Sequence, residues 1–255
     1  MDLGQIRSLV ASPGYDFLRD DCRLGKNIIL LTVAGSHAYG TNHDGSDLDI
    51  RGAATNDRFS ILTMQDFEHV RHSETDTIIY SFDKLVKMLC SGNPNVIEML
   101  GLRPEHYLLQ TEVGSELLAR KDMFLSKRIA DSFGGYAESQ MKVAMSDTSV
   151  ERRLKAAMHS YRILFMGLEI MQTYRINTYR SAKELDLLKS IQNGDYCTED
   201  YKPNMVCYQN FLDLMNQLRS VTKFCSCLPE NVNQYEVDKF RAEVNGEICG
   251  GTNEL

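Results

Sequence analysis

No run of the chain approaches the roughly 20 consecutive apolar residues that a membrane-spanning helix requires, so such a helix is excluded and no membrane partner is expected. The opening residues, MDLGQIRSLVASPGYDFLRDD, lack the basic start and apolar centre of a signal peptide, and export is not expected. Cysteine is sparse and badly spaced: seven residues, an odd number, with only CSC at 225–227 close together, which argues against a disulfide framework and a zinc knuckle. A reducing, cytoplasmic compartment is the expectation. Basic charge is short as well. With 28 Lys and Arg against 35 Asp and Glu, the formal charge of −7 excludes a general basic field for coating nucleic acid, and any polynucleotide contact should be focal. A Gly-x-x-x-x-Gly-Lys phosphate loop is missing, which argues against a P-loop kinase or ATPase, and HVRH at 69–72 lacks the spacing and glutamate of a zinc-protease helix. Internal repeats and low-complexity segments are also absent.

What is present suffices for a globular fold: 255 residues, 43% of them hydrophobic, can supply a real core. Up to about residue 101 the pattern mixes strands and short helices, with strands expected at 27–33, 47–54 and 76–82. SGNPNVIEMLG predicts a compact helix capped by Asn93, with Pro94 in its first turn and Gly101 at its close. Further on the chain turns helical. Two helices are expected around a break at Gly134-Gly135, a long one over 151–174, and others over 181–193, 205–223 and 232–244. The organisation is an α/β unit over 1–110, a helical unit over 111–245 and a loose tail over 246–255.

On the long helix, Leu154, Ala157, Met158, Tyr161, Leu164, Phe165, Leu168 and Met171 follow the spacing of a buried stripe. Lys155, His159 and Arg162 project together on a neighbouring face, where their donors could converge on one anion. Taken alone, that triplet reads as a solvated cationic edge.

The richest stretch is AGSHAYGTNHDGSDLDIRG at 34–52, which follows the apolar run NIILLTV. Strand alternation puts Asp47 and Asp49 on one side of the sheet and Leu48 and Ile50 on the other, facing the core. Two neighbouring carboxylates repel unless a cation lies between them, and hard oxygen ligands suit magnesium or manganese. Gly35 and Ser36 offer backbone N–H groups and a hydroxyl where a phosphate could approach closely. An ordinary polar turn with solvated acids is the competing account, as is a haloacid-type phosphatase. The latter would place its Asp-x-Asp at the end of an apolar first strand, which here leads into Gly-Ser instead. Arg51 is placed on the sheet face opposite Asp49, in a structural role, and His37 and Tyr39 are buried turn aromatics or contacts to base or sugar.

Gly-Ser followed by Asp-x-Asp on a strand resembles the signature of nucleotidyltransferases of the DNA polymerase beta superfamily, matched here by Gly35, Ser36, Asp47 and Asp49. The fuller string, with SGNPNVIEML at 91–100 and the Lys155, His159, Arg162 helix, resembles the branch that includes RNA-repair-associated polymerase-beta-like proteins; the likeness covers roughly residues 27–194. It implies an α/β core with a mixed sheet, followed by a helical domain. It also implies a metal-dependent enzyme that moves an NMP from an NTP to an acceptor hydroxyl and releases pyrophosphate. Asp47 and Asp49 would hold two Mg2+ or Mn2+ ions, with Asp76 as the third catalytic carboxylate and Glu74 as its alternative. Gly35, Ser36, Lys155, His159 and Arg162 would bind the nucleotide, the last three across a cleft. Glu98 would point to the site with Asn93 and Asn95 or serve the helix surface. An RNA 3′ end, tRNA-like or damaged, is the expected acceptor, with Lys142, Arg152, Arg153, Arg175 and Arg180 as a phosphate track. A protein or small-molecule hydroxyl and a non-catalytic nucleotide-binding module are the alternatives.

Overall fold

IILLTVA at Ile28–Ala34 is buried at every position and forms strand β1; a segment without a polar face belongs in the middle of a sheet. β2 (Asp49–Ala54) pairs with it antiparallel, and β4 (Thr77–Ser81) pairs parallel with β2. β3 (His69–His72) and β5 (Tyr107–Gln110) close the edges, giving a mixed five-stranded sheet in the order β3-β4-β2-β1-β5. The three strands expected from sequence are found within two residues of their predicted ends. The two edge strands are four residues each with one or no buried position, too short for the pattern to register.

The computed structural model describes residues 1–250 and divides into two units. The first comprises Met1–Cys90, Leu102–Phe124 and the chain from Val232 onward; the second comprises Ser91–Gly101 and Leu125–Asn231. The 91–101 segment thus belongs to the second unit and the last helix to the first.

In the first unit, Leu31, Val33, Leu48, Ile50 and Ile79 pack from one face of the sheet against Ile6, Tyr15 and Leu18. Ile6 lies on α1 (Leu3–Val10), begun by a capping box between Asp2 and Gln5, and Leu18 on α2 (Phe17–Asp20). Each such buried side chain stabilises the fold by about 1.5–3 kcal/mol relative to exposure. A five-residue helix, α3 (Gly35–Tyr39), leaves β1, and α4 (Arg58–Thr63) follows β2. After β4, α5 (Phe82–Cys90) buries Leu85, Val86 and Leu89.

The second unit begins with α6 (Pro94–Ile97), capped by the Asn93 side chain as its sequence predicts. After α7 (Glu112–Ala119) of the first unit, four helices make up most of the second: α8 (Arg128–Met145), α9 (Val150–Thr173), α10 (Ala182–Asn193) and α11 (Met205–Phe224). The break expected at Gly134-Gly135 does not occur, since α8 runs through both. Packing of the residues around them, Ala130, Phe133, Ala137 and Met141 all buried, outweighs the low helix propensity of the two glycines. α9 packs against α8, α10 and α11 and is buried beyond one stripe, while Leu154 and Phe165 are only partly covered. α12 (Gln234–Gly250) extends through residues 246–250, which the sequence assigned to a loose tail. Val237, Phe240 and Val244 dock it on the first unit, Phe240 edge-on to Phe82 with centroids 5.6 Å apart, and helix propagates cheaply beyond an anchored stretch. The rest of that tail, 251–255, lies outside the described residues.

Candidate active site

The antiparallel register opposes Ala34, the last residue of β1, to Asp49, the first of β2. Ile50 is in parallel register with Thr77, so Asp76 stands beside Asp49 at the same end of the sheet. The turn after β1 must be glycine. Gly35 has φ of +61°, and a Cβ there would lie 1.8 Å from Asp49 Oδ2, inside any tolerable contact. The backbone of the Gly-Ser turn is thus pressed against the Asp49 carboxylate.

Asp47 precedes β2 and is exposed, whereas Leu48 and Ile50 enter the core, so the predicted alternation holds although the strand starts two residues late. Asp76 ends the turn between β3 and β4 with φ of +41°, a conformation uncommon outside glycine. Its carbonyl accepts from Ile50 N at 3.2 Å and Arg51 Nη1 at 2.5 Å, which holds that strained residue in place. Glu74 is exposed within the same turn.

Arg51 shares the face of Asp49, because two steps along a strand return to the same side; the opposite face predicted for it is a miscount of that period. Its Nη2 lies 3.4 Å from Oδ1 of Asp49 and 3.4 Å from Oδ1 of Asp76. The Asp76 carboxyl is held below its ordinary pKa, first by a hydrogen bond with the Asp49 side chain and then by the Arg51 charge, with burial opposing. Half of the Asp76 side chain, 48%, stays exposed, against 22% for Asp49 and 17% for Arg51, so Asp76 is the member most open to an incoming group. His37 and Tyr39 are buried, and burial keeps the His37 imidazole below its ordinary pKa against a hydrogen bond to the Ser46 backbone.

Among the described residues no group of three or more His, Cys, Asp and Glu side chains is preassembled for a metal. The donor chemistry of the nearer two nevertheless suits a hard cation: Asp49 and Asp76 are adjacent carboxylates whose side chains are within hydrogen-bonding reach of each other.

The helical triplet divides. Lys155 is exposed and His159 is partly buried with its Nδ1 out of solvent. Arg162 is 2% exposed, its Nη1 3.0 Å from Oε2 of Glu98. The flat cationic edge is therefore not what forms, because α9 is surrounded where Arg162 emerges. Burial, with Arg162 and then Lys155 alongside, pushes the His159 pKa down to about 3. Glu98 follows α6 in a short 3-10 turn; its carbonyl accepts from Thr178 Oγ1 at 2.5 Å, and a Cβ at Gly101 would meet Ile176 O at 2.3 Å. The sequence motifs at 91–101 and 155–162 are thus joined by one buried ion pair, which no spacing rule along the chain could reveal. Of the expected phosphate track, Arg180 is buried against Glu169, and Arg153 donates to the Asp200 carbonyl at 2.8 Å.

Residues 17–193 match the family described as the RNA repair pathway DNA polymerase beta family. No curated protein and no solved structure is matched. The match covers most of the chain, including the Gly-Ser turn, the Asp47, Asp49 and Asp76 carboxylates and the Glu98–Arg162 pair. The mixed sheet with its helical second part is the architecture that the resemblance implied. On these grounds the chain belongs to the RNA repair pathway DNA polymerase beta family, within the polymerase-beta-like nucleotidyltransferases.

Proposed function

We propose that this protein transfers a nucleoside monophosphate from an NTP to the 3′ hydroxyl of an RNA, releasing pyrophosphate. The observation that carries the reading is the contact of the Gly35 backbone with the Asp49 carboxylate, with Asp76 alongside. It sets the backbone of the Gly-Ser turn directly beside the paired acids, where the phosphate chain of an NTP would be bound through a metal. Asp49 and Asp76, with Asp47 on the exposed segment before them, would hold Mg2+ or Mn2+, which when bound neutralises phosphate charge and lowers the pKa of an attacking hydroxyl. Ser36 offers its hydroxyl and backbone N–H to the phosphate chain. Asp76, the more exposed acid, would accept the proton of the acceptor hydroxyl. Arg51 fixes the orientation of both carboxylates and limits their repulsion. In-line phosphoryl transfer asks mainly for such positioning and charge neutralisation. Lys155, exposed on the second unit, stays a candidate for a substrate phosphate, whereas Arg162 has Glu98 as its counterion.

The test is incubation of the full chain with each α-labelled NTP, Mg2+ and a cell extract. Label entering RNA, lost with Asp49→Asn, supports the reading. Label entering only protein or a soluble metabolite replaces the acceptor, and no incorporation anywhere favours a non-catalytic nucleotide-binding module.

A further inference from the structure

The first unit holds a half-open cavity of about 520 Å3 between its N-terminal helices and the sheet. Leu18, Ile28 and Leu31 form its floor, each about 5% exposed or less, and Leu109 of β5, 39% exposed, stands at its mouth. The rim carries Arg7, Arg19 and Lys26. On a chain of net charge −7, a cavity lined by three cations and, among the described residues, no acid is a local reversal of sign. The cations differ in how committed they are. Arg19 is shared with Asp16 and donates to the Val10 and Ser12 carbonyls. Arg7 is steadied by the carbonyls of Tyr107 and Leu108 at 3.1 and 3.2 Å, neutral acceptors that leave its charge uncancelled.

This cavity is separate from the candidate active site. Ala34 opposes Asp49, and Leu31 alternates with Thr32 and Ala34 along β1, so the cavity floor lies on the other face of the sheet from Asp49 and Arg51. Its size falls within the range of small-molecule sites, and an apolar floor with a few cations at the mouth sets the ligand's polarity. We infer that the cavity binds an amphiphilic anion, an aliphatic body with a single carboxylate or phosphate head. The body covers Leu18, Ile28 and Leu31, and the head sits between Arg7 and Lys26. An uncharged amphiphile gains only the apolar part, and a bare anion gains only screened surface charge.

The test is isothermal titration of the full chain with octanoate, octyl phosphate and uncharged 1-octanol, all below their micelle concentrations. The expected result is saturable one-site binding of at least one anion, at least tenfold tighter than octanol. The preferred head identifies a carboxylate or a phosphate source. Lys26→Glu and the exposed Leu109→Glu should each weaken it at least tenfold, with unchanged thermal unfolding confirming the fold. The inference is overturned by no saturable anion binding, by equal binding of octanol, or by affinity that neither substitution changes. Sedimentation with anionic vesicles in the absence of binding by the monomeric anions would also overturn it, in favour of a membrane surface.

Discussion

Replacing Arg162 by Met removes a cation that is 2% exposed and leaves Glu98, 7% exposed, without the guanidinium 3.0 Å from its Oε2. Breaking a buried pair from one side costs about 3–5 kcal/mol, because the remaining charge stays buried and has lost that counterion. For a chain of this size each kcal/mol lowers the melting temperature by roughly 2–4 °C, so a fall of roughly 6–20 °C is expected. Glu98→Met should cost a similar amount. The double variant Glu98→Met/Arg162→Met, which leaves no buried charge at this site, should recover most of the loss. Other contacts of the two residues enter the single variants and cancel from the coupling energy of the cycle. Urea denaturation of all four proteins at pH 7 measures it. Stability of Arg162→Met within about 0.5 kcal/mol of wild type, the range of surface substitutions, together with an additive cycle, would refute the buried pair. A raised NTP KM with unchanged stability would return Arg162 to the substrate contact that its motif implies.

Gly35→Ala should abolish transfer, since its Cβ would fall 1.8 Å from Asp49 Oδ2 at a φ of +61°; wild-type turnover in this variant would show that the turn does not form as described. Gly135→Ala, at a helical position where a Cβ meets nothing within 4 Å, should stabilise the protein by about 0.5–1 kcal/mol, read as a higher urea midpoint. Stability should also fall in acid. His159 is held neutral to about pH 3, whereas an unfolded histidine protonates near its ordinary 6.5. Its contribution is complete above about pH 6.5 and is lost as pH falls toward 3, by about 1.4 kcal/mol per pH unit. Burial lowers His37 and His106 in the same direction. His159→Gln should flatten the slope of the urea midpoint between pH 7 and 5; an identical slope in variant and wild type would contradict this.

Features set by neighbours in the chain were legible beforehand, and those set by distant partners were not. The 28–34 run, the Leu48 and Ile50 alternation and the Asn93 cap depend on local periodicity or a local hydrogen bond, and each appears where the residues placed it. β3 and β5 exist because the sheet offers them a partner, and α12 exists because Phe240 and its neighbours have a surface to dock on. Inside the candidate site the Gly-Ser and Asp-x-Asp pattern located the turn and the acids. Arg51 was within reach of the same reasoning, since period two places it with Asp49. The Glu98–Arg162 pair was not, because the two residues are 64 positions apart and only the packing around α9 decides which of its faces is dry.

The central claim is that Asp49 and Asp76 act in transfer rather than in folding. Asp49→Asn and Asp76→Asn keep shape and remove charge, so label transfer from NTP to RNA should fall on the order of a hundredfold or more, while the urea midpoint shifts little. Wild-type transfer in either variant would contradict the account, as would a loss of transfer that unfolding fully explains.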